Sequence, residues 1–153
     1  GTDANVVDTT GTTRNRLCQA ARATGSGRSR GAWPCSIRRV VSRLRARIGA
    51  GRPLNTVFVR RRPTGEIWSP QLPAQYPGRD WMLTRLLWLS GCERGKNRLG
   101  DVDTMRRYIY IHGSPDTVEM GRPGSIGCLR MRNADIVELF DLVPPYTGVE
   151  IVG

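Results

Sequence analysis

The chain has 153 residues, 39% of them hydrophobic and 24% charged, with a formal net charge of +11; its mean hydropathy is −0.39. That length fits one domain with a core of its own, and no window approaches the roughly 20 apolar residues of a membrane helix. The charge is uneven: residues 1–62 carry net +12 and residues 63–153 net −1, so basicity belongs to the first part of the chain.

Residues 1–44 are rich in Arg, Thr, Ser, Gly and Ala and poor in large apolar side chains, and the stretch from Ala23 to Gly31 has the makeup of a flexible linker. The segment reads as disordered or as sequence from a shifted reading frame. Its start has neither a basic n-region nor an apolar h-region, so no signal peptide is expected in this chain. Ile37, Val40, Val41 and Leu44 are spaced for a basic amphipathic helix over residues 36–47, with a solvated, poorly packed segment as the preferred alternative.

From Ile48 the texture changes. Asn55 to Arg60 reads as a strand, Pro63-Thr64-Gly65 as a turn, and Glu66 to Trp68 as a short strand. Three prolines between Ser69 and Gly78 predict a loop. The apolar run Trp81 to Leu89 fits a buried strand, with a helix as the other option. Arg107 to His112 alternates, which puts Tyr108, Tyr110 and His112 on one face and Ile109 and Ile111 on the other. Asn133 is a candidate N-cap for a helix carrying Ile136, Val137, Phe140 and Val143, stopped by Pro144-Pro145, and Val149 to Val152 closes the chain as a strand. Short strands between turn clusters make the fold mainly β.

Four cysteines (Cys18, Cys35, Cys92, Cys128) and a single histidine, His112, show no metal-ligand spacing, so no metal site is expected; a Cys18–Cys35 disulfide stays open. His112 stands at a strand end, and sixteen residues later Cys128 follows Gly127 in a bend. A thiol needs a neighbouring base or positive charge to act as a nucleophile at neutral pH, and an imidazole is suited to that task. Gly127 permits close backbone approach, amides around Gly127 and Cys128 could face an oxyanion, and Arg130 could hold a carboxylate. By itself this spacing is a weak signal, because a lone cysteine is more often an inert buried residue.

Ile111-His112-Gly113, followed by Gly121-Arg122-Pro123-Gly124-Ser125-Ile126-Gly127-Cys128-Leu129-Arg130-Met131, resembles the signature of L,D-transpeptidase (YkuD-type) catalytic domains. The flanks Pro63 to Trp68, Arg79-Asp80-Trp81, Asn97 to Gly100, Asp103 to Tyr110 and Asn133-Ala134-Asp135 share the likeness, which runs from about Arg45 to Ile151. The resemblance implies a mainly β, sandwich-like catalytic domain over residues 45–153 with one or two short helices, its N-terminal strands missing or disrupted. It implies acyl transfer on diaminopimelate-containing peptidoglycan stem peptides through a Cys128 thioester. His112 would be the general base and acid, the Gly113 carbonyl would orient it, and Ser125 and Arg130 would shape the nucleophile loop and substrate site. Gly127 joins them through its backbone, and Tyr110, on the face of the histidine strand, is a candidate substrate wall with core packing as the preferred alternative. It further implies work in the periplasm or cell envelope, sensitivity to carbapenem-type inhibitors, a monomer, and no cofactor.

One departure stands inside the signature. Ile126 occupies the place of the family's second histidine, which implies reduced activity. Two other readings remain: a degenerate homologue that binds wall peptides without turnover, and a basic nucleic-acid-binding protein. The second is disfavoured, because the arginines are not interleaved with stacking aromatics and no recognition motif accompanies them.

Overall fold

The computed structural model describes residues 4–7, 15–17, 39–120, 125 and 127–152. Cys18, Cys35, Trp33, Ile126 and the linker-like stretch lie outside the described residues. The strands are β1 (Ala4–Val7), β2 (Asn15–Leu17), β3 (Arg39–Ile48), β4 (Thr56–Val59), β5 (Arg62–Ile67), β6 (Met82–Gly91), β7 (Tyr110–Ser114), β8 (Leu129–Arg132) and β9 (Gly148–Val152). Two α-helices accompany them, α1 (Leu72–Gln75) and α2 (Asn133–Leu142), with a 3-10 turn at Gly100–Val102. The fold is mainly β, as the turn-punctuated sequence implies.

The predicted buried run becomes β6, the strand around which the sheet is built. Along one edge β6 pairs first with β4, at Met82 and Leu83, and then with β3, from Leu86 to Gly91. Its other edge takes β7, so Leu83 faces both Val57 and Gly113 while Trp88 faces both Ala46 and Tyr110. β5 extends the sheet beyond β4; β9 lies beyond β3, with β1 and β2 outside it. All pairings are antiparallel except β7 with β8.

Alternation sorts the side chains of β7 and β8 into two layers. Ile109, Ile111, Leu129 and Met131 join Leu44, Leu87, Leu89 and Val149 in the main core, which α2 covers with Ile136, Leu139 and Phe140. The opposite face carries Tyr110 on a smaller cluster with Phe58 and Leu86, against which Ile48, Met82, Trp88 and Cys128 pack. The helix therefore covers one layer and leaves the other to the chemistry-bearing residues.

Five local expectations are corrected. Pro63-Thr64-Gly65 is not a turn but part of β5, and the chain reverses earlier, at Arg60 and Arg61, both with positive φ. His112 is the middle residue of β7 rather than its end. Residues 39–48 form a strand rather than a helix or a solvated segment: Val40 and Leu44 are buried, and the intervening Ser42 is buried too. Tyr108 is not on the strand; it sits in the preceding turn with φ of 57° and is 54% exposed. Asn133 does not cap α2, because Arg132 holds the N-cap position without a side-chain bond. The Asn133 amide instead joins β6 and the residue before β4, as described below.

The segment from Ser69 to Gly78 is a loop apart from the single turn of α1. Among the described residues, no helix is long and apolar enough to cross a membrane.

Candidate active site

The parallel pairing of β7 and β8 sets His112 opposite Arg130 and Ile111 opposite Leu129. Cys128, one residue before β8, shares the alternation phase of Arg130, so Tyr110, His112, Cys128 and Arg130 lie on one face. Sixteen residues of sequence separation thus collapse to adjacent strand positions, with the nucleophile candidate at the mouth of β8.

His112 is fully buried. Its Nδ1 lies 2.8 Å from the Gly113 carbonyl oxygen. A carbonyl only accepts, so Nδ1 carries the hydrogen and Nε2 presents a lone pair. That Nε2 has no hydrogen-bond partner among the described residues. Burial pushes the imidazole below its ordinary pKa, with the Arg130 charge acting in the same direction and the Gly113 bond and Asp80 opposing it. The resting ring is a neutral imidazole, free to accept one proton.

Gly113 is required where it stands. A Cβ there would lie 2.5 Å from Asn133 Oδ1 and 2.6 Å from the Leu83 carbonyl oxygen. Asn133 is fixed in turn: its Oδ1 accepts from the buried Thr84 hydroxyl, and its Nδ2 donates to Asn55 Oδ1 at 2.8 Å. Thr84 has φ of 69°, an uncommon value for a β-branched residue, inside the irregularity where β6 slips register against β7 between Leu83 and Leu86. The bulge turns the Thr84 hydroxyl onto Asn133, which packs beneath the glycine whose carbonyl holds the imidazole.

Cys128 is a free, partly exposed thiol. Its Sγ donates to the Tyr108 carbonyl at 3.5 Å. Burial pushes the thiol up to about 11, and the Asp80 charge adds to this; the Tyr110 backbone N–H and Arg130 pull the other way. The bend before it is held by Ser125, whose hydroxyl donates to the Cys128 carbonyl and receives the Gly127 N–H at 3.4 Å. Gly127 has φ of 134°, which favours glycine. Ser125 is therefore engaged in shaping the loop.

Arg130 is paired with Asp80 at 2.9 Å. Both line an open cleft of about 390 Å³ together with Gly78, Trp81, Ser114 and Ser125. The Tyr110 hydroxyl accepts from Arg61 Nη1 at 3.2 Å. Asp80 and Arg61 escaped the sequence reading as site residues. Asp80 lies in the Arg79-Asp80-Trp81 flank, fifty residues before Arg130, and only the fold joins them. Among the described residues, no group of three or more His, Cys, Asp or Glu side chains is arranged to hold a metal ion.

The family model of the L,D-transpeptidase catalytic domain, YkuD, matches residues 21–151, reaching upstream of the motifs that begin near Arg45. The chain is 39% identical over 46 residues to the YkuD proteins of Bacillus subtilis (strain 168) and of Bacillus licheniformis. Each alignment covers 30% of this chain and only 28% of the relative's length. No solved structure gives a significant match. The family model spans most of the chain, including the strand that bears His112 and the bend that bears Cys128: the chain belongs to the L,D-transpeptidase catalytic-domain family.

Proposed function

We propose that the chain is a cysteine acyltransferase acting on peptidoglycan stem peptides in the cell envelope, with Cys128 as nucleophile and His112 as base. The observation that carries this reading is the single lone pair of a buried, tautomer-fixed imidazole on the same face of two neighbouring strands as a free thiol. In the first step the Cys128 proton passes to His112 Nε2 while Sγ forms a bond to the carbonyl carbon of the donor peptide. The tetrahedral intermediate collapses when the C–N bond breaks, and the departing amine takes the proton from Nε2. An acceptor amine then adds to the thioester, gives its proton to Nε2, and the thiolate leaves and is reprotonated.

Burial and fixed dipoles explain how a thiol with a raised pKa can still react. The free thiolate is scarce, so proton transfer accompanies attack rather than preceding it, and backbone amides at the Gly127–Cys128 bend meet the charge that develops on the carbonyl oxygen. Gly113 acts through its carbonyl as a positioning group. Ile126 keeps the backbone of the motif but supplies no donor, so the proposal includes a rate below that of a histidine-bearing family member. Introducing Ile126→His is expected to raise acylation; no increase would sink this account of the isoleucine.

A binding-only homologue is the second reading, favoured by the thiol's bond to the Tyr108 carbonyl in place of a base. Incubation with a carbapenem separates the two. A covalent adduct by intact mass, absent in Cys128→Ala, supports the acyltransferase; retention of wall peptides with no adduct supports binding alone.

A further inference from the structure

Arg61 stands at the turn between β4 and β5, where Arg60 and Arg61 both have positive φ, 47° and 69°. Its guanidinium carbon lies 4.4 Å from the Trp88 ring centroid and 5.0 Å from that of Tyr108. Trp88 and Tyr108 are themselves near-parallel, 6.4 Å apart with an interplanar angle of 22°. The Nη1–H to the Tyr110 hydroxyl completes the support.

These residues also border the thiol. Tyr108 supplies the carbonyl that Cys128 Sγ binds, and Cys128 and Trp88 pack on the cluster that contains Tyr110. Along β7, Arg61 sits at the Tyr108–Tyr110 end of the site, while the Asp80–Arg130 pair and its cleft sit at the Ser114 end. Both ends present a guanidinium, but only one is neutralised. Arg130 faces Asp80 and Arg79 faces Glu66, whereas no carboxylate pairs with Arg61 among the described residues.

A guanidinium packed against aromatic rings keeps its remaining N–H groups in the plane of the fork, where a carboxylate fits. Arg61 has five such donors, and one is taken by Tyr110. Tyr108 is 54% exposed, so this end of the site opens to solvent. We propose that Arg61 is a specificity-determining residue that receives the free carboxylate of the leaving residue, next to the scissile bond of the donor peptide. The inference rests on the acyl-transfer reading and adds to it the demand for a C-terminal acid.

The test compares two donor tetrapeptides that differ only in ending as a free acid or as a primary amide, followed by thioester formation at Cys128. The parent chain is expected to favour the acid by about tenfold or more in kcat/KM, as a charge-assisted bond would give. Arg61→Gln is expected to lose that preference by slowing the acid while leaving the amide unchanged; Arg61→Lys, which keeps charge but not the fork, falls between. A structural role for Arg61 would slow both peptides alike, and that result overturns the proposal. Equal acylation by acid and amide in the parent chain overturns it as well, with the acyl-transfer reading intact. Acylation by neither peptide removes both.

Discussion

The pH dependence of Cys128 alkylation follows from the buried thiol. Its pKa of about 11 lies roughly two units above that of a free thiol. At pH 8 the folded chain would hold about 0.1% thiolate, some hundredfold less than an unperturbed cysteine. A more basic thiolate is intrinsically more nucleophilic, which returns a factor of about eight over two units, so the net slowing is on the order of tenfold. The assay is iodoacetamide alkylation of the folded chain from pH 6 to pH 10.5, followed peptide by peptide by mass spectrometry so that Cys128 is read apart from the other three cysteines. The Cys128 rate should climb about tenfold per pH unit through the whole range, since each unit raises the thiolate tenfold below its pKa. His112→Gln should leave that profile unchanged, because the resting imidazole holds no proton from the thiol. A plateau near neutral pH, lost in His112→Gln, would reveal a resting thiolate–imidazolium pair and refute the argument from burial.

Two further predictions concern what holds the imidazole. Gly113→Ala brings a methyl group to 2.5 Å from Asn133 Oδ1 and 2.6 Å from the Leu83 carbonyl. It is expected to cost about 1–3 kcal/mol in denaturant unfolding and to slow carbapenem acylation, and unchanged stability would contradict the packing described. His112 has a lowered pKa in the folded chain, so the unfolded chain binds more protons as the medium turns acidic. Its contribution to stability is complete above the unfolded pKa near 6.5 and is lost as pH falls below that value, at up to about 1.4 kcal/mol per unit. Unfolding free energies of the parent chain and His112→Gln should therefore converge with that slope below pH 6.5; parallel curves would mean that the imidazole is protonated in the fold.

Much of the fold was legible where alternation or length was decisive. The runs that became β4, β6 and β9 and the apolar stripe of α2 each met a partner surface that matched their pattern. The strand over residues 39–48 was hidden because Ser42, a polar residue, occupies a buried position and is satisfied by Asn97, 55 residues away. The remaining apolar residues happen to fall at helical spacing. Tyr108 left the predicted strand face because the turn from Asp103 to Tyr108, closed by backbone bonds from Arg107 and Tyr108, imposes a left-handed residue there. Asn133 looked like a cap because local sequence cannot show that β8 runs straight into α2 and that its amide is claimed by Thr84 and Asn55.

The site divided in the same way. His112, Gly113, Gly127 and Cys128 were singled out through the resemblance of their motifs rather than through spacing, and the fold sets the two motifs on neighbouring strands. Arg130 was expected to be available for a carboxylate, yet a distant aspartate neutralises it. Among the described residues around Tyr110, a guanidinium without a carboxylate partner belongs instead to Arg61, brought in by a hairpin whose sequence gives no sign of what it faces.

The most direct measurement is the intact mass of the chain after rapid quenching with a stem tetrapeptide that ends in a D-residue. The account predicts a transient adduct equal to the peptide less its last residue, located on Cys128, abolished by Cys128→Ala and slowed at least a hundredfold by His112→Gln. Peptide turnover that survives Cys128→Ala, or an adduct that forms equally fast without the imidazole, would contradict it.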